Sequence, residues 1–198
     1  APNAVYVLTA EDIKRSGATD IPEVLRLVPG MDVAAIYGNS YAVSSRGFND
    51  RFAQRMRVMI DGRTIYVTFF GGVFWENEEI FLEDIERIEI IRGSGGAMWG
   101  ANSVNGVINI ITKEPEDTLG FLGSTTMTEF GDTFTHLRWG GQKEDWTWRF
   151  STGYEDLNTS DEAGSGKYIS SAPILRSIRP WGSLTALAAI RLTPRSLT

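Results

Sequence analysis

Apolar residues recur at two different spacings along the chain, and the switch falls near residue 30. Before it, Ile21, Val24, Leu25 and Val28 repeat at helical spacing, and Thr9-x-x-Asp12 and Asp20-x-x-Glu23 have the spacing of helix N-terminal caps. In such a cap the first side chain accepts from a free backbone N–H, and the acid three residues on favours the positive helix end. The pattern predicts a helix over 10–15 that stops at Gly17, and a second over 21–27 that stops at Pro29-Gly30, with Pro22 tolerated in its first turn.

After residue 30 the period becomes two. Segments 31–36, 42–45, 57–60, 85–91 and 104–111 are short, largely β-branched runs bounded by Gly, Asn or Asp, which predicts a sheet half covered by the helices. In 85–91 the alternation places Ile85, Arg87, Glu89 and Ile91 on one face and Glu86, Ile88 and Ile90 on the other. Asp61-Gly62 at the centre of IDGR predicts a tight hairpin between 58–60 and 64–67.

From Gly120 the texture changes again. Three segments, at 121–131, 133–142 and 145–156, have the length that a tilted membrane-spanning strand needs. The third is the sharpest, with Trp146, Trp148, Phe150, Thr152 and Tyr154 on one face and Thr147, Arg149, Ser151 and Gly153 on the other. A barrel strand and an ordinary sandwich strand can both alternate this way. The tail after Lys167 shows neither pattern and carries no acid, although the chain holds 25 acids and the last is Glu162. A sequence from another source and a genuine basic tail both fit that break, and no function is assigned to it.

Composition narrows the chemistry. A net charge of -6 argues against nucleic acid, whose phosphates an acidic chain repels. With no cysteine and His136 as the single histidine, disulfides, thiol catalysis and cysteine- or histidine-based metal centres are excluded. No run of 18 apolar residues is present, so a transmembrane helix is not available, while a β-barrel route stays open.

The stretch IERIEIIRGSGGAMWGANSVNGVINIITKEP has the look of a strand entering a phosphate loop. Gly93, Gly95 and Gly96 follow a strand, but the P-loop lysine and hydroxyl pair are missing and the spacing is not the dinucleotide fingerprint. Gly100-Ala101-Asn102 stops any helix after about one and a half turns, too short for a parallel crossover. A compact turn is the better account, and a soluble nucleotide-binding enzyme using Gly93–Gly96 is the alternative. Gly93, Gly100, Asn102, Asn105 and Gly106 are read as turn and hydrogen-bonding positions, Asn109 with them. No carboxylate pair or serine–histidine constellation points to catalysis.

Taken whole, that stretch resembles the end of the plug domain of TonB-dependent outer-membrane receptors. VMIDGRTIY, SSRGF and the opening VYVLTAEDIKRSGATDIPEVLRLVPGMDV extend the likeness, in the family's order, over Val5 to about Lys113. The resemblance implies an α+β plug domain with a small mixed β-sheet and short helices over 1–117. It is followed by antiparallel β-strands of a truncated transmembrane barrel over 118–156 and an unassigned loop and tail over 157–198. Three strands cannot close a barrel of about 22, so the chain is expected to be a fragment that does not transport alone, with the energy-partner motif lying before Ala1. The family's function, active uptake of a scarce nutrient such as a ferric siderophore across a Gram-negative outer membrane, needs a TonB-type energy-transducing partner and membrane lipid. No cofactor is expected. Arg46 in SSRGF and Arg92 in IIRG match positions that face barrel-wall glutamates, where a guanidinium forks onto carboxylate; solvated strand-end arginines are the plainer reading. The outward loops implied are 37–41, 49–55 and 67–77. Their candidate ligand residues are Tyr37, Asn39, Arg51, Phe69, Phe70, Phe74 and Trp75, with burial as the competing explanation of the FFGGVFW run.

Overall fold

The computed structural model describes residues 4–37, 40–45, 47, 55–67, 69, 71–75, 78, 80–93, 99–100, 103–129, 131–143, 146–157, 160–162, 167–169, 174–175 and 185–192. They form two compact units, Ala1–Thr112 and Lys113–Thr198.

The first unit opens with strand β1 (Ala4–Thr9), which the sequence pattern does not announce, and then helix α1 (Ala10–Ser16). The cap at α1 forms as expected: the Thr9 hydroxyl accepts from the Asp12 N–H at 3.2 Å, the Asp12 carboxylate accepts from the Thr9 N–H at 2.9 Å, and Gly17 closes the helix in the left-handed region. Helix α2 (Ile21–Leu25) is shorter than expected and differs at its start. Asp20 makes no capping bond, and the Glu23 carboxylate accepts from the Thr19 N–H at 3.4 Å instead.

Strands β2 (Met31–Tyr37) and β3 (Ser40–Ser45) pair as a separate antiparallel hairpin. The main sheet has the order β1-β6-β7-β4-β5, built from β4 (Met56–Ile60), β5 (Arg63–Thr64), β6 (Ile85–Arg92) and β7 (Gly106–Thr112). Only β4 and β7 run parallel, so the sheet is mixed. The hairpin at Asp61-Gly62 forms with both central residues at positive φ, 47° and 76°, as a primed turn requires. Its second strand ends at Thr64 rather than 67, and the Asp61 carboxylate takes up the Thr112 N–H and hydroxyl, at 2.8 and 2.9 Å.

The alternation expected for β6 is broken by a bulge. Its pairing with β7 skips from Ile85 to Arg87, so Glu86 is the extra residue and Ile85 turns to the core face with Ile88 and Ile90. These three meet Leu8, Val58, Ile60, Ile108 and Ile110 from the same sheet face, Ile13, Ile21, Val24, Leu25 and Val28 from the helical side, and Tyr41 and Val43 from the hairpin. Burial of each large aliphatic side chain is worth about 1.5–3 kcal/mol, which is why the helical stripe and the strand face specify one another.

In the second unit β8 (Gly120–Met127), β9 (Thr133–Lys143) and β10 (Trp146–Leu157) form an antiparallel meander. The tail departs from the expectation of no pattern: β13 (Ile174–Leu175) and β14 (Thr185–Leu192) pair with the other edge of β10, while β11 (Ser160–Glu162) and β12 (Lys167–Ile169) pair with each other. No helix among the described residues is long and apolar enough to cross a membrane.

Candidate functional site

Several residues singled out by the sequence come together at one end of the main sheet. Asn105, one residue before β7, donates from its side-chain amide to the Ser45 carbonyl at 3.0 Å and from its backbone N–H to the Arg55 carbonyl at 2.9 Å. Its own carbonyl accepts from the Gly93 N–H at 3.3 Å. Beside it the Ser45 hydroxyl donates to the Gly30 carbonyl at 3.2 Å, and the Arg92 guanidinium donates to the Pro29 carbonyl. Ser45 directly precedes the first Arg-Gly step, Arg46-Gly47, and the second is Arg92-Gly93. Of the two, the Arg92-Gly93 step meets Asn105 directly, through the Gly93 N–H.

Gly106 sits between β6 and β4 with φ at 151°, and a Cβ there would lie 2.5 Å from the Ile91 carbonyl oxygen. Gly100 also has positive φ, at 92°, with the Arg57 guanidinium 3.5 Å from the position of a Cβ. Arg57 donates to the Trp99 carbonyl and, at 2.8 Å, to the Thr64 hydroxyl. β7 begins at Gly106 rather than at residue 104, because Ser103 folds back onto the Gly100 carbonyl in a tight turn and leaves Val104 exposed. β6 and β7 are antiparallel neighbours, so the connection between them is not the parallel crossover that seats a phosphate at a helix N-terminus. Among the described residues no group of His, Cys, Asp or Glu could hold a metal ion.

Of the candidate ligand residues, Asn39, Arg51 and Phe70 lie outside the described residues, as do Arg46 and Asn102; Tyr37 ends β2, its backbone alone described. Phe69 occupies a turn closed by reciprocal bonds: the Val67 N–H donates to the Gly72 carbonyl and the Gly71 N–H to the Val67 carbonyl, both at 2.9 Å. Phe69 is 88% exposed, whereas Val73 and Trp75 just beyond are buried in the core and Phe74 is half-buried. The FFGGVFW run thus divides: its tip presents an aromatic ring and its base is structural, Trp75 included.

Tyr41, in β3 of the hairpin, has its hydroxyl 3.5 Å from the Asp20 carboxylate and 3.4 Å from that of Glu23. Burial, and then the two negative charges, push its phenol well above the ordinary tyrosine value. At α1 the hydrogen bonds from Thr9 hold the Asp12 carboxyl below the usual carboxylate range.

The second unit is inverted relative to a soluble sheet. Trp139 is 55% exposed, and Phe121, Met127, Leu137, Trp146, Phe150 and Tyr154 share its outward face, while Thr147, Ser151, His136, Arg138 and Arg149 are buried on the other. Trp139 stacks on Phe150 at 6.2 Å between ring centroids and meets Trp148 edge-on at 6.3 Å. The polar face carries a short 3-10 turn (Pro115–Thr118), held where Arg149 donates to the Lys113 carbonyl at 2.6 Å. Gly140 leaves room there for the Thr118 carbonyl, and on the opposite face Gly141 leaves room for the Trp148 indole; a Cβ at either would overlap its neighbour. An apolar, aromatic-rich outside over a polar inside is the pattern of a strand that faces lipid.

Comparison with known proteins points the same way. Residues 1–107 match the TonB-dependent Receptor Plug Domain family. The ferric enterobactin receptor PirA of Pseudomonas aeruginosa is 31% identical over 129 residues, covering 58% of this chain and 17% of that protein. The vitamin B12 transporter BtuB of Photobacterium profundum is 40% identical over 109 residues, covering 54% of this chain and 17% of its own length. In fold, the crystal structure of the ferric yersiniabactin uptake receptor FyuA from Yersinia pestis superimposes on 83% of the chain with a TM-score of 0.63 at 19% identity, covering 26% of that receptor. The chain thus spans about a sixth of the length of the two curated relatives.

Proposed function

Because the chain belongs to the plug-domain family of TonB-dependent receptors, proteins of the Gram-negative outer membrane, we propose that it is the ligand-binding and gating portion of a receptor that takes up a ferric siderophore. The observation that carries the ligand side is the turn closed by Val67 and Gly72, which presents Phe69 on a base fixed in the core by Val73 and Trp75. An aromatic face on a rigid base suits a bulky, oxygen-rich chelate, and Arg51 supplies a cation for its negative charge. Tyr37, Asn39, Phe70 and Phe74 complete the assigned ligand surface, with Trp75 beneath it. Residues 1–117 act as the plug and 118–156 as the first wall strands, whose outward aromatic face meets lipid. Arg46 and Arg92 anchor plug to wall through glutamates of the barrel. A TonB-type partner supplies the energy, and neither nucleotide nor cofactor enters.

A second reading is favoured by one observation: the higher of the two identities quoted, 40%, is to a vitamin B12 transporter, so a cobalamin is the alternative cargo. Both are tested by placing the complete receptor that carries this plug in a Gram-negative strain lacking its own iron and cobalamin receptors. Uptake of labelled ferric enterobactin that stops on removal of the TonB-type partner is the expected result. Uptake of cyanocobalamin alone would transfer the assignment to the second reading, and uptake of neither would remove both.

A further inference from the structure

Asn105 and Gly106 form the single Asn-Gly step in the chain. In such a step the backbone nitrogen of the glycine can attack the side-chain amide carbon of the asparagine, because no β-carbon on the glycine hinders the approach. The N–Cγ bond forms, the Cγ–Nδ2 bond breaks, and the Gly106 amide proton leaves with Nδ2 as ammonia. Water then opens the cyclic imide at either carbonyl, giving aspartate or isoaspartate. The fold holds every part of this step in place. The side-chain amide that must swing onto the Gly106 nitrogen donates instead to the Ser45 carbonyl at 3.0 Å, and the Asn105 N–H and carbonyl are taken by Arg55 and Gly93 at 2.9 and 3.3 Å. Gly106 itself is buried in register with Arg92 and Met56, with the Ile91 carbonyl oxygen 2.5 Å from the position of a Cβ.

We propose that Asn105-Gly106 is a self-modification site that the fold keeps unreactive, and that it converts to aspartate or isoaspartate when the β2–β3 hairpin parts from the entry of β7. The hairpin and the five-stranded sheet are separate sheets, so the guarding bond to Ser45 can break without the loss of any strand pairing. Ser45 is itself steadied by the bond from its hydroxyl to the Gly30 carbonyl, at 3.2 Å. The change runs one way. Aspartate keeps the shape of the side chain, but its carboxylate cannot donate to the Ser45 carbonyl and sets a negative charge beside that oxygen. Isoaspartate routes the main chain through the former side chain, which inserts one carbon ahead of Gly106 and displaces it against Arg92 and Met56, where neighbouring backbone leaves no room. Either product hinders the hairpin from returning, so an opening leaves a covalent mark and a looser domain. The consequence for gating rests on the plug reading above, while the chemistry does not.

The test is incubation of the full chain in oxygen-labelled water at mildly alkaline pH, which favours loss of the Gly106 amide proton, with label at residue 105 read by mass spectrometry. Wild type is compared folded in detergent micelles and unfolded in urea, and Ser45→Ala, Thr9→Ala and Asn105→Gln are compared folded. Ser45→Ala removes the bond to Gly30 and leaves Asn105-Gly106 intact, whereas Thr9→Ala removes a hydroxyl bond of the same kind at the α1 cap, away from the hairpin. Label should enter wild type at least about tenfold faster in urea than in the folded chain. Among folded chains it should enter Ser45→Ala about fivefold faster than wild type and Thr9→Ala less than about twofold faster, and it should not enter Asn105→Gln. Equal rates in the folded chain and in urea would overturn the proposal, as would no label in urea, no acceleration by Ser45→Ala, or equal acceleration by Ser45→Ala and Thr9→Ala. No ligand enters this measurement, so its failure removes the modification site alone, and failed uptake removes the ligand assignment alone.

Discussion

At the scale of single residues, Tyr41 shows how a buried polar group is tolerated and what that costs at high pH. Its hydroxyl lies against two carboxylates, so the neutral phenol is held and the phenolate is opposed by burial and by like charge. A raised folded pKa in an acid means that its contribution to stability is complete below the unfolded value, near about 10, and is lost as pH rises above it, because the unfolded chain releases the proton first. The melting temperature of the wild-type chain should therefore fall more steeply above about pH 10 than that of Tyr41→Phe. Parallel curves in a thermal melt series would remove this account. Asp12 works in the opposite sense: its carboxyl is held low by Thr9, so the support it lends α1 is present at neutral pH and is lost as acid protonates it.

Elements of the second unit are positioned by what the sheet lacks. Gly140 and Gly141 are adjacent and so face opposite sides of β9, one opening toward the 3-10 turn and the other toward the Trp148 indole. The two neighbours differ in kind, since a backbone carbonyl cannot step aside and an indole can rotate. Gly140→Ala should therefore cost about 2–4 kcal/mol by forcing the Pro115–Thr118 turn off the sheet, whereas Gly141→Ala should cost less than about 1.5 kcal/mol and shift the tryptophan emission. Chemical denaturation of both variants, read by tryptophan fluorescence, checks the ranking, and a cost for Gly141→Ala equal to or above that for Gly140→Ala would contradict it.

For the whole molecule the two arginine steps are the point where plug and wall are expected to meet. Arg92 has a partner within its own unit, the Pro29 carbonyl, so Arg92→Ala in the isolated chain should lose about 0.5–1.5 kcal/mol, the net worth of one hydrogen bond. In the complete receptor, if a wall glutamate also pairs with it, the same substitution leaves a carboxylate without its cation, and a cost of about 3–5 kcal/mol is expected. Melts of Arg92→Ala in the two contexts check this. Equal shifts would make Arg92 an internal staple of the turn at Pro29-Gly30 and end its anchoring role.

Local chemistry was legible from the chain itself. The Thr9–Asp12 cap, the Asp61-Gly62 turn, the stripe of Ile21, Val24, Leu25 and Val28, and the two faces of β10 each depend on residues only a few positions apart, and each is found in the structure. The recognisable run of motifs extended this to the fold class, which the folded chain bears out. What the pattern left undecided were choices that residues distant in sequence make. The bulge at Glu86 follows from aligning β6 with β7, and β1 becomes a strand because β6 offers it an edge. Which face of β10 is inside is equally non-local: alternation distinguishes Trp148 and Phe150 from Arg149 and Ser151 but does not say which pair meets solvent or lipid. Asn105 reads as a turn residue from its neighbours, and becomes the meeting point of Ser45, Arg55 and Gly93 only when chain segments up to 60 residues apart are brought within hydrogen-bonding distance. Periodicity is a property of neighbours, whereas pairing, bulges and buried polar contacts depend on which strand arrives alongside, and tertiary structure alone decides that.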